Sequence, residues 1–211
     1  MADIDELIGK LAGEATTVET APHPFVLSAK WMAGAVAYLV VALMISGTRT
    51  DLMAKFHEPL FALEIVALLG IFISTSLSAA LLSYPDMHQM RRIAYLPFVT
   101  LALLVVVMFF SWRADVPPSP PPMHSFQCTL EITLLSLLPI AWTFYVMRKY
   151  ASTKLRWAGS VALLFAFSIG ALWLRLAENT DSILHFIEWH YLPLIAFGLA
   201  GMWLGKQFLK W

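Results

Sequence analysis

The residues of this chain that can do chemistry gather in one stretch, Leu176–Pro193, which reads LAENTDSILHFIEWHYLP. It begins as a polar break between two apolar runs. It then climbs into the second run carrying Glu178, Asp181, His185, Glu188, Trp189 and His190. Ionisable groups where a membrane helix begins are expensive and are retained for a purpose. Two other groups have the same character: His57, Glu58 and Glu64 at one end of the second apolar run, and His124, Cys128 and Glu131 at the start of the fourth. Buried carboxylates and imidazoles need partners, or they shift their pKa and neutralise. The economical arrangement is a shared cluster on one side of the bundle, with Glu64, Cys128, Glu131, Glu178, Asp181, His185, Trp189 and His190 as its candidates.

Thiol, imidazole and carboxylate together suit a metal site, a protonation site or a redox-active thiol. Helical geometry constrains the first. His185 and Trp189 share a face, whereas His185 and His190 stand about 140° apart at about 100° per residue on an α-helix. The spacing HxxxxH therefore makes no two-histidine clip on one helix. A site using the candidates Cys128, His185 and His190 would need ligands from other helices, among them Glu64 or Glu131. Cys128 reads either as a small apolar filler or as a reactive thiol beside His124. A purely structural reading makes Asn179, Thr180 and Asp181 N-caps and places Trp189 and Tyr191 in an interfacial belt.

The elements that must position these residues are apolar and long. The chain has 211 residues, 59% apolar and 13% charged, with mean hydropathy +0.72. Soluble domains average about a quarter charged. The apolar residues recur in blocks of about 20, the length that crosses a bilayer as a helix. Six such runs are predicted near 27–46, 60–82, 93–112, 129–147, 155–174 and 186–205. The fold class is all-α: a polytopic membrane protein with a six-helix transmembrane domain over 27–211. VPPSPPP at 116–122 reads as an extended, proline-stiffened loop. Gly201-xxx-Gly205 permits close helix packing, within one bundle or as the seam of a homodimer.

Residues 1–26 form a short polar arm. Ile4, Leu7, Ile8 and Leu11 fall at i, i+3, i+4 and i+7, the stripe of an amphipathic helix, with Asp3 as N-cap and Gly13 as its end. Pro22 and Pro24 make a hinge before the first span. Such a stripe docks into a partner's groove or lies on the lipid bilayer. Lys and Arg fix the orientation. Ten of the 14 fall on the side of the arm, the 83–92 and 148–156 loops and the C-terminal end; Arg49, Lys55, Arg113 and Arg175 fall on the other. The positive-inside rule then puts both termini in the cytoplasm.

Several classes are excluded. Zero net charge gives no footprint for nucleic acid. Residues 1–24 are polar and acidic, unlike a secretory signal peptide. One cysteine excludes an intramolecular disulfide and a multi-cysteine zinc site. No Ser/His/Asp nucleophile arrangement or phosphate loop appears, and no cofactor is expected. A small-molecule or metal-ion transporter stays open as the alternative, with its polar site at the outer ends of the second, fourth and sixth spans.

The order of motifs resembles the NrsF-like family, negative regulators of sigma F: six-span bacterial membrane anti-sigma factors. The matching pieces are DIDELIGKLAGEA in the arm, RTDLMAKFHEPLFALEIVALLG from Arg49 to Gly70, SYPDM after the second span, and Cys128 at the mouth of the fourth. LPIAW, DSILHFIEWHYLP and the closing GKQFLKW complete the set. The resemblance implies a non-catalytic protein whose cytoplasmic arm holds an extracytoplasmic-function (ECF) sigma factor away from RNA polymerase and releases it on a periplasmic-side stress. It also implies two periplasmic-side cysteines responding to oxidants or heavy metals. Cys128 matches the first; the second falls on Glu178.

Overall fold

An apolar run that leaves no polar face for water must close its own backbone hydrogen bonds, and a helix does so within one segment. The computed structural model describes residues 4–14, 21–85, 90–115 and 125–210 and is helical in each run. In chain order the helices are α1 (Ile4–Glu14), α2 (Pro24–Ser46), α3 (Leu52–Lys55), α4 (Pro59–Leu82), α5 (Arg91–Ala94), α6 (Leu96–Ala114), α7 (Ser125–Met147), α8 (Leu155–Ala177), α9 (Ile183–His185) and α10 (Leu192–Phe208). A π-helical turn, Phe186–Tyr191, joins the last two. Six stretches are long and apolar enough to cross a membrane: α2, α4, α5 with α6, α7, α8, and Ile183–Phe208. The protein is an all-α polytopic bundle, as its hydropathy requires.

Boundaries move by a few residues. Pro24 is not in the hinge but in the first turn of α2, where its missing N–H costs nothing, and the His23 Nδ1 caps the Phe25 amide at 3.3 Å. The arm helix runs one residue past Gly13, to Glu14. The sixth span starts at Ile183 rather than 186. Asp3, the end of SYPDM and the proline loop with His124 lie outside the described residues.

Small residues decide which helices sit in the middle. In α8, Ala158, Gly159, Ser160, Ala162, Ala166, Ser168, Gly170 and Ala171 are all buried, and 83% of its most apolar window is enclosed. α4 follows at 72%, whereas the other four spans are enclosed over a third or less and turn Val, Leu, Met and Phe outward. Without a hydrophobic force between helices in lipid, close backbone approach and hydrogen bonds hold such a bundle. The closest approach is α8 against α10. A Cβ on Gly159 would overlap the Gly201 carbonyl oxygen and Gly205 Cα, and one on Gly205 would overlap the Leu155 carbonyl oxygen. The glycine face of the last span is therefore consumed inside the bundle and is closed to a dimer seam.

Prolines supply the hydrogen bonds. A helical proline frees the carbonyl four residues before it and disturbs its neighbour. Pro139 frees Leu135 O, which accepts from Tyr38 OH of α2 at 2.9 Å. Pro193 frees Trp189 O, which accepts from Thr129 Oγ1 of α7 at 2.6 Å. At the α5–α6 break before Pro97, Ala94 O accepts from Ser78 Oγ of α4 at 2.7 Å and from Trp157 Nε1 of α8 at 3.2 Å.

Gly201→Leu should fail where Gly9→Ala does not. The first forces a side chain into the α8 backbone and is expected to cost about 3 kcal/mol or more. The second adds a methyl in open space and should raise arm helicity by up to about 1 kcal/mol. Thermal unfolding in detergent, with circular dichroism, checks both.

Candidate functional site

The shared cluster expected from the sequence separates into three sites. The first is buried. α4 presents Glu64 one turn below its start and α8 presents Arg175 near its end. Arg175 Nε and Nη2 donate to Glu64 Oε1 and Oε2 at 2.8 and 3.0 Å. Tyr191 OH also donates to Glu64 Oε1. The guanidinium carbon stands 4.0 Å from the Phe186 ring centroid and 4.5 Å from that of Phe61. Glu64 and Arg175 are 1% and 3% exposed, so each is the other's partner in a buried ion pair, and removing one leaves the other unpaired. Glu64 therefore does not join Cys128, because Arg175 takes both of its oxygens.

The second site is a half-exposed ion network. Arg49 forks onto Asp51 at 2.6 and 2.9 Å and reaches Asp181 at 3.0 Å; Lys55 bridges Asp181 and Glu58. The Arg49 guanidinium holds the Asp51 carboxyl below its ordinary range. Asp181 is thus consumed by Arg49 and Lys55 rather than by the histidines. Asn179 is no N-cap of the last span either: its Oδ1 accepts from Thr50 N at 3.2 Å, and Ser182 caps His185 N instead. Arg49 N donates to Leu176 O at 2.9 Å, which pins the α2–α3 loop to the end of α8.

The third site brings together Cys128, Glu178, His185 and His190. His185 Nε2 lies 3.2 Å from Glu178 Oε1, His190 Nε2 lies 3.2 Å from Glu178 Oε2, and the two Nε2 atoms are 3.2 Å apart. The Cys128 thiol reaches Glu178 Oε1 at 3.7 Å. Both histidines are fully buried, and each Nδ1 is without a hydrogen-bond partner among the described residues. Burial works to raise the Glu178 carboxyl, but the His190 and His185 imidazoles and Thr180 outweigh it and leave it below the ordinary range.

The two-histidine geometry corrects the expectation from α-helical spacing. Phe186–Tyr191 is a π turn, in which residue i+5 rather than i+4 stacks over residue i. Leu192 N accordingly bonds Ile187 O. HxxxxH on a π turn is what HxxxH is on an α-helix. Pro193, which cannot donate, sits where the turn ends. Trp189 contributes its carbonyl to Thr129 and its ring, edge-on, to Phe126 at 6.5 Å. Glu131 and Glu188 are exposed and are not among the four residues that meet, and His57 Nδ1 bonds the Met53 carbonyl at 2.8 Å.

Sequence reasoning missed Arg49, Arg175 and Tyr191. The available signal was Arg175 inside LWLRLA: a lone cation in an apolar run demands a partner. Counting it as a loop charge hid that demand.

At the other end of the bundle the arm's root is held. Tyr84 OH donates to Pro22 O at 2.6 Å, and its ring stands 5.0 Å from that of Tyr150. Burial and the neighbouring Tyr150 push the Tyr84 phenol up to about 12. Because the folded state favours the neutral phenol, this contribution to stability is complete below pH about 10 and is lost as pH rises from about 10 through about 12. The four stripe residues of α1, Ile4, Leu7, Ile8 and Leu11, are each more than half exposed.

Two outcomes follow. Arg175→Met alone leaves a buried carboxylate and should cost about 3–5 kcal/mol, whereas Glu64→Gln with Arg175→Met should cost less than Arg175→Met alone; unfolding midpoints in detergent decide it. In an ultraviolet phenolate titration, Tyr84→Phe should remove a tyrosine that ionises near 12 rather than near 10.

No curated protein and no solved structure matches the chain. One family model does, described as negative regulator of sigma F, and it covers residues 11–211. A match over nearly the whole chain, on a six-span bundle, settles the family: this protein belongs to the NrsF family, the negative regulators of sigma F.

Proposed function

We propose that this protein is a membrane-bound anti-sigma factor whose cytoplasmic N-terminal arm holds an ECF sigma factor, in a bacterial inner membrane with both termini inside. It releases that partner when a periplasmic signal, an oxidant or heavy metal, alters the Cys128–Glu178–His185–His190 group. The observation that carries this reading is the bare stripe of α1 on a member of a sigma-regulator family. The family match starts at residue 11, so Ile4, Leu7 and Ile8 rest on the structure of α1 rather than on kinship.

Magnitudes bound the arm's share. Four aliphatic side chains buried in a groove give about 6–12 kcal/mol gross, at about 1.5–3 each. Ordering the arm and losing rigid-body freedom costs at least about 4 kcal/mol. The net is near micromolar, about 8 kcal/mol at best. Tight sequestration needs a second contact, and the 148–156 loop offers one: Arg148, Lys149 and Arg156 are exposed at the same end as the arm's root and suit an acidic surface.

A physical route joins signal to output. His190 is next to Tyr191, which bonds Glu64 near the start of α4. α4 has 24 residues, about 36 Å of helix. Beyond its far end, Tyr84 holds Pro22 at the root of the arm. A signal shifts the arm only as far as it binds the two arrangements unequally.

Co-purification in mild detergent from native cells tests the reading. An ECF sigma factor should accompany the full chain and be lost when residues 1–20 are deleted. Leu7→Asp should weaken capture about 10- to 100-fold, the worth of one buried leucine. Capture unchanged by Leu7→Asp would sink the docking arm, and absence of any sigma factor would sink the output. Tyr84→Phe should keep capture but change the induced release, measured with a reporter of the sigma factor.

A further inference from the structure

We propose that Cys128, Glu178, His185 and His190 form a four-coordinate site for a divalent transition-metal ion of the zinc type. Each offers one ligand atom, and these atoms all lie within 4.8 Å of one another. The shorter edges already have tetrahedral length. Nitrogen or oxygen ligands at about 2.0–2.1 Å from a tetrahedral zinc stand about 3.3 Å apart, and a sulfur at about 2.3 Å stands about 3.5 Å from an oxygen. The structure has Nε2 to Nε2 at 3.2 Å, His185 Nε2 to Glu178 Oε1 at 3.2 Å and Sγ to Oε1 at 3.7 Å, while His190 Nε2 stands 3.2 Å from the other carboxylate oxygen, Oε2. The longest separation, up to 4.8 Å, shortens on binding.

Hydrogen bonding alone accounts poorly for this convergence. Two Nε2 atoms 3.2 Å apart share at most one proton between them, yet both turn to the same carboxylate. Both Nδ1 atoms are meanwhile buried without a hydrogen-bond partner among the described residues. A cation at the common centre gives all four groups one partner. Charge agrees: thiolate and carboxylate with two neutral imidazoles balance a dication, so the filled site is neutral, as burial demands. The thiol proton passes to water on binding. A set of two nitrogens, one sulfur and one oxygen selects zinc and its like, not magnesium or calcium, which take oxygen cages.

Metal-bound imidazoles usually donate their second N–H to an acceptor, and among the described residues neither Nδ1 has one. As the input of the switch proposed above, the metal site rests on that reading. As a binding site it stands apart, and its test involves no sigma factor.

The full chain, purified in detergent without a histidine tag and stripped by a chelator, is titrated with Co(II). One equivalent should give the intense visible bands of four-coordinate Co(II) and a near-ultraviolet thiolate-to-metal band, both removed by one equivalent of Zn(II). Cys128→Ser should keep binding and lose the thiolate band. His190→Gln should weaken Co(II) about tenfold or more, while Glu188→Gln, exposed on the same turn, should not. Only weak six-coordinate absorption from the parent chain would overturn the proposal. So would full-strength bands in both His185→Gln and His190→Gln, or equal loss in Glu188→Gln. Near-ultraviolet circular dichroism of the metal-free variants separates lost ligands from lost folding.

Discussion

A carboxylate and a guanidinium share the interior of an apolar bundle, and the far end of the molecule is arranged around them. Glu64 and Arg175 come from the two most enclosed spans. Leaving either one buried without the other is costly, so their meeting fixes the depth of α4 against α8. Tyr191 closes on the same carboxylate and ties in the sixth span. Phe61 and Phe186 lie against the guanidinium, and Phe186 also lies edge-on to His190, with ring centroids 4.9 Å apart. The histidine pair is thus seated on the wall of the ion pair.

The remaining ties follow from what lipid denies to a backbone. Tyr38, Thr129, Ser78 and Trp157 each reach across to a carbonyl at a proline break. In water those carbonyls would be hydrated; in hydrocarbon a neighbouring helix must serve them. Prolines that read as kinks in isolation therefore act as cross-links. The glycines of α8 and α10 do the complementary work, since they bring two backbones close enough that no side chain fits between.

Much of this was legible in the sequence. Six apolar runs of bilayer length gave six spans, and the amphipathic spacing of Ile4, Leu7, Ile8 and Leu11 gave a helix with that face bare. Cys128, Glu178, His185 and His190 were all among the residues singled out, and they do meet. What could not be read was partnership. Polar residues at one depth look alike until Arg175 and Arg49 are seen to be buried, and these two cations draw Glu64 and Asp181 out of the group. The π turn was illegible for a different reason: α periodicity at about 100° per residue assumes that every turn is an α turn, and one that is not changes the phase of everything after it.

That phase has a reach beyond the histidines. A π turn is a single residue inserted into an α-helix, and it works here as a vernier between two scales engraved on one rod. The scale before it sets His185 against Glu178; the scale after it sets Gly198, Gly201 and Gly205 against α8. Removing one residue from Phe186–Tyr191 would turn one half by about 100° against the other. The imidazole pair and the glycine seam could not both keep their alignment. Among relatives, a gap at this position should therefore coincide with rewriting of one or the other, and the length of this short turn is as much a part of the design as the residues it carries.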